Sequence, residues 1–101
     1  MQVYVPASRF PLGELQATST VVELVADEEI RKAIQSHALA DGDSSDEERL
    51  KTERAIERGA RLISAHSSSK GVQFLVVTEC DRTQTTVLLE NELWSISTAS
   101  L

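Results

Sequence analysis

The segment from Val72 to Leu89 constrains this chain more than any other. Val72 to Thr78 (VQFLVVT) is nearly continuous in apolar residues, as expected of a central strand covered on both faces. Cys80 to Thr83 is polar and turn-like, and Thr85 to Leu89 (TTVLL) reads as the return strand of a hairpin. The rest of the chain has to supply the cover.

One cover element is plain. Asp27 is a plausible N-cap, with Glu28 and Glu29 in the first turn, where the helix dipole favours carboxylates. Ile30, Ala33, Ile34 and His37 then recur at i, i+3, i+4 and i+7, one buried face of a short helix. The stretch Asp41 to Ser45 (DGDSS) ends it. Ser45 and Glu48, or Ser44 and Glu47, have capping-box spacing. A longer helix is expected from there to about His66, spanning about 30 Å at 1.5 Å per residue. Thr52, Ile56, Gly59, Ala60 and Ile63 share its inner face. Ser67 to Gly71 reads as a loop.

Before the first helix, Gln2 to Val5 alternates polar and apolar and stops at Pro6, a short edge strand. Ala7 to Ser19 holds Pro11 and Gly13 and reads as a loop pinned to the core by Phe10, Leu12 and Leu15. Thr20 to Val25 (TVVELV) is β-branched and reads as a second strand. Leu93 to Ile96 adds a last short strand or a turn that packs Trp94. With 101 residues the chain is expected to be one domain. Its fold class is α+β, a mostly antiparallel sheet of four to five strands packed against two helices in a two-layer sandwich.

No apolar run approaches the roughly 20 residues of a membrane helix, and MQVYVPASRF lacks the pattern of a secretory signal. A lone cysteine, Cys80, permits no intrachain disulfide, which favours a reducing, cytoplasmic setting. The net charge of −6 repels phosphate backbones and lowers the case for generic nucleic-acid binding.

The candidate chemistry is thin. Lys51, Arg54, Arg58 and Arg61 follow i, i+3, i+7, i+10 and share one arc of the long helix, a stripe that suits a phosphate or an acidic partner. The same helix carries Asp46, Glu47, Glu48, Glu53 and Glu57, with Glu47–Lys51 and Glu57–Arg61 at i, i+4. A self-paired, solvated face is therefore the leading expectation for the stripe. His37, His66 and Cys80 match no metal or nucleophile spacing, so no metal, cofactor or catalytic set is expected. His37, closing an apolar stripe, reads as a packed histidine or a helix C-terminal cation. Asp41 to Glu48 lacks the sixth-position glycine and twelfth-position Glu of a calcium loop and reads as a polar connection. Cys80 is flanked by Glu79 and Asp81, which oppose thiolate formation.

Two stretches carry a resemblance. FLVVTECDRTQTTVLL (Phe74 to Leu89) resembles a hairpin of small hypothetical proteins of halophilic archaea, and VPASRFPLG (Val5 to Gly13) is similar to stretches in haloarchaeal regulators. Together they cover about a quarter of the chain. The resemblance implies a salt-adapted cytosolic protein, in line with an acidic composition in which lysine occurs only at Lys32, Lys51 and Lys70. It implies no activity. The expectation is a non-catalytic interaction or small regulatory module that self-associates or meets a protein partner through exposed edges at Gln2 to Val5 and Leu93 to Ile96. A nucleic-acid-associated regulator using the basic stripe is the alternative.

Overall fold

The computed structural model describes residues 3, 5, 8–39 and 46–92, with the backbone alone for 46, 48 and 49. The elements run β1 (Glu14–Ala17), α1 (Ser19–Leu24), α2 (Asp27–Leu39), α3 (Asp46–Arg58), β2 (Leu62–Ser67), β3 (Gln73–Thr78) and β4 (Gln84–Leu89), closed by a 3-10 turn at Glu90–Glu92. The strands make one sheet in the order β1-β4-β3-β2. β2, β3 and β4 are antiparallel neighbours, while β1 joins β4 in parallel. The sheet is mixed but mostly antiparallel and packs against helices, an α+β fold. Of the expected strand at Gln2 to Val5 only Val3 and Val5 are described, and neither is in a strand; Leu93 to Ile96 and the Asp41 to Ser45 loop lie outside the described residues.

The central hairpin forms as its sequence dictates. β3 is buried from Phe74 to Thr78, because alternate side chains meet cover on both faces. On one face Phe74, Val76 and Val87 pack with Val21, Val25, Ile30, Ala33 and Ile34 of the helical layer. On the other, Leu75, Val77 and Leu88 make a smaller cluster. The stripe Ile30, Ala33, Ile34 and His37 is buried as its spacing demands. The first ladder bond of α2 runs from Ile30 N–H to Ala26 O, so Asp27 stands inside the helix and not at its cap. There its carboxylate takes a 2.6 Å hydrogen bond from Arg31 one turn on.

Three further expectations fail, each for a local reason. Ser19 to Leu24 is helix, not strand. Thr18 caps it, its Oγ1 accepting from Val21 N–H at 3.3 Å, and burial of Val21 outweighs the small helix penalty of Thr20, Val21 and Val22. Glu14 to Ala17 is strand, not loop, anchored at its ends by Glu14 N–H to Thr83 O and Thr18 N–H to Val87 O. The long helix stops at Arg58. Gly59 turns left-handed at φ +68, and the bonds Ala60 N–H to Ala55 O and Gly59 N–H to Ile56 O close a Schellman motif. Leu62 to Ser67 can then alternate as β2.

Phe10 and Leu12 do pin the segment before β1 to the core, and Leu15 does the same from within β1. Among the described residues no helix is long and apolar enough to cross a membrane.

Candidate functional site

The two histidines, 29 positions apart in sequence, meet through a serine. His37 Nδ1 lies 2.8 Å from Ser64 Oγ, and His66 Nε2 lies 2.7 Å from the same oxygen. On the other side of the ring, His37 Nε2 is 2.7 Å from Thr78 Oγ1, which is 2.8 Å from Thr85 Oγ1. Thr85 donates to the backbone carbonyl of Leu12 at 2.7 Å. The row crosses from the edge strand β2, through α2, to β3, β4 and the segment before β1.

Its hydrogens can be ordered from the far end. Leu12 O only accepts, so the single hydroxyl hydrogen of Thr85 is committed to it. Thr78 must then donate to Thr85, and His37 Nε2–H must donate to Thr78. His37 Nδ1 is left as an acceptor, which Ser64 fills with its own hydrogen. His66 Nε2–H therefore donates to Ser64 Oγ. Every hydrogen points one way, from His66 to Leu12, and each link polarises the next.

The surroundings keep the imidazoles neutral. His37 is 6% exposed, with Phe10 edge-on to its ring at 5.4 Å. Burial, then the neighbouring His66 and Arg82, pushes its pKa down to about 4. Burial also lowers His66, which lies against Phe74. His37 is thus the packed, neutral histidine of the two readings, not a helix-terminal cation. Ser64 and His37 stand as a hydroxyl and a proton acceptor, yet the acceptor is weakened as a base and a threonine, not a carboxylate, orients it. Cys80 is exposed in the β3–β4 turn and bonds to neither imidazole. Among the described residues no group of three or more His, Cys, Asp or Glu side chains could hold a metal ion.

The basic stripe comes apart. Lys51, Arg54 and Arg58 are exposed on α3, and none of them pairs with a described carboxylate. Arg61 leaves the row because the helix has ended. Its Nη2 sits 3.4 Å from Glu79 Oε1, an ion-pair contact without hydrogen-bond geometry. The expected Glu57–Arg61 pair is therefore absent, and Glu47–Lys51 does not close either. Glu53 turns instead to Arg9 at 2.6 Å.

One side chain that sequence reasoning passed over ties α3 to the sheet. Arg82, left-handed at φ +60, donates from Nη1 to Ala60 O at 2.7 Å and to Glu79 O at 3.1 Å, and its guanidinium lies over Phe10 at 5.5 Å.

The second feature is the outer edge of β2. Ser68 N–H bonds Val72 O, so alternation turns the backbone groups of Leu62, Ser64 and His66 inward to β3. Glu79 N–H to Gln84 O gives the same phase independently, directing residues 75 and 77 to β4 and leaving 74, 76 and 78 for β2. Ile63, Ala65 and Ser67 consequently present their N–H and C=O groups to the outer edge, where no described strand pairs with them. Their side chains are also exposed, Ile63 to 48%.

No family model, curated protein or solved structure matches the chain.

Proposed function

We propose that this protein is a non-catalytic interaction module that pairs with a second copy of itself through the outer edge of β2, which no described strand covers. The supporting observation is the chemistry of that edge. Leu-Ile-Ser-Ala-His-Ser carries no lysine, no carboxylate and no proline, the devices by which sheets discourage edge pairing. β1, the opposite edge, is four residues long and opens on Glu14. Two β2 strands related by a two-fold axis would satisfy both sets of outward groups. The resemblance to halophilic proteins fits this reading, since a pairing edge without charge loses nothing to screening in high salt.

Magnitudes set the strength. Backbone bonds at about 0.5–1.5 kcal/mol each and partial burial of Ile63 at about 1 kcal/mol per chain act against about 4–15 kcal/mol of lost rigid-body freedom. The expected dimer is weak and concentration-dependent. Ala65→Pro removes one outward N–H and blocks the edge, while leaving the inward ladder to β3 intact. Sedimentation equilibrium should find a monomer–dimer mixture for the native chain and monomer at every concentration for Ala65→Pro. A native chain that stays monomeric throughout, or a proline variant that still dimerises, removes the proposal.

A second reading rests on the exposed row Lys51, Arg54 and Arg58, which offers cations to an anionic partner such as nucleic acid. It ranks lower because Glu47 and Glu57 share the helix and the whole chain carries −6. It predicts duplex binding at low salt that weakens as salt rises and is lost on charge reversal of Arg54 and Arg58. No gel shift at low salt rejects it.

A further inference from the structure

We infer that the His37–Ser64–His66 group is an acid-operated latch on β2, holding the edge strand to α2 when both imidazoles are neutral and releasing it when both are charged. The inference deepens the pairing reading, because the strand held is the strand proposed to pair.

The argument is one of counting hydrogens. In the neutral state every donor has one acceptor and every acceptor one donor along the row. A first proton goes to His66 Nδ1, the ring nitrogen that Ser64 does not use, and leaves His66 Nε2–H to Ser64 intact. The latch tolerates it.

A second proton must enter at His37 Nδ1, because His37 Nε2 already carries a hydrogen for Thr78. Ser64 Oγ then faces an N–H donor from each side, and its own hydrogen has no acceptor. Two imidazolium rings also share one oxygen in a largely buried place, with Arg82 adding a third positive charge beside Phe10. Ser64 could accept from both rings only by leaving its own hydrogen unpaired, and repulsion between the two charged rings then drives it from at least one of them.

The charges around the pair do not relieve this. On the packed elements Asp27 pairs with Arg31, Glu28 with Lys32, Arg9 with Glu53 and Arg61 with Glu79, while Arg82 and Glu29 stand apart from these pairs. Glu29 is engaged by Ser69 N–H at 2.7 Å, in the loop after β2. No described carboxylate bonds either imidazole.

The readout lies in the amides that β2 gives to β3. Ser64 and His66 point inward and are protected, whereas Ile63, Ala65 and Ser67 point out. Hydrogen exchange, corrected for its intrinsic pH dependence and measured on dilute protein, should accelerate at Ser64 and His66 by about tenfold or more between pH 6.5 and 4. Leu75 and Val77, whose amides bond β4 and not β2, should change much less. His66→Gln keeps a donor toward Ser64, takes up no proton, and can turn its carbonyl to accept the serine hydrogen once His37 is charged. It should abolish the acceleration while preserving neutral-pH protection.

Loss of protection at Leu75 and Val77 together with β2, unchanged β2 exchange down to pH 4, or a His66→Gln variant that responds like the native chain would each overturn the latch. Sedimentation at neutral pH judges the pairing reading separately. A monomer whose β2 amides still accelerate in acid retains the latch and loses the pairing.

Discussion

Replacing Gly13 by alanine is expected to destabilise the fold by at least about 3 kcal/mol, the largest loss among the described glycines. Gly13 sits at φ +66, where an L side chain is strained. The added Cβ would also lie 2.3 Å from both Thr83 C and Thr83 O and 2.7 Å from Arg82 O. These are backbone atoms of the β3–β4 turn, so no side chain can swing aside. The segment before β1 would have to lift off, breaking Glu14 N–H to Thr83 O and loosening Leu12 O from Thr85.

Gly71 supplies the control. It is also left-handed, at φ +83, yet an added Cβ meets nothing within 4 Å. Gly71→Ala should therefore cost only the conformational strain, about 1 kcal/mol. Urea unfolding of the two variants separates clash from strain. Equal losses would mean that the Gly13 contact is not close.

Thr78→Val is expected to cost about 2–3 kcal/mol although it replaces a hydroxyl by a methyl of nearly equal volume. Thr78 is fully buried, and its hydroxyl both receives from His37 Nε2–H and donates to Thr85. Valine leaves the imidazole N–H buried without an acceptor, and it is this unmet donor, not a cavity, that carries the penalty. Native stability itself should hold above pH 6.5 and decline toward pH 4, because the unfolded His37 takes a proton at about 6.5 while the folded one resists until about 4. That interval corresponds to about 3 kcal/mol from His37 alone. A Thr78→Val loss under about 0.5 kcal/mol, seen by the same urea titration, would show that the row is not bonded as described.

What the sequence disclosed and withheld follows from how local each signal is. The hairpin Phe74 to Leu89 and the stripe Ile30, Ala33, Ile34, His37 are legible because each element declares its own period. Glu14 to Ala17 is not, since four residues carry no period and their partner β4 lies some seventy positions on. Thr20-Val-Val22 points to strand by propensity, and only the Thr18 cap argues otherwise.

Extending the second helix past Gly59 had the widest consequence. On a helix, residues two apart lie on different faces; on a strand, Ser64 and His66 share one. Reading 62–66 as helix thus hid both the serine that joins the histidines and the edge proposed to pair. The one available signal was Gly59 itself, taken as part of the inner face although a glycine near a helix end more often closes it. Thr78 and Thr85 were within reach, because the hairpin turn sets them opposite each other.

The direction of the hydrogens in the row underlies the neutral His37, the Thr78 penalty and the acid response. Nitrogen-resolved NMR of the two imidazoles across a pH titration reads it directly. Both rings should carry their hydrogen on Nε2 at neutral pH, His66 should titrate first, and His37 should stay neutral until about pH 4. A hydrogen on His37 Nδ1, or a His37 that titrates at its ordinary value near 6.5, would contradict the whole construction.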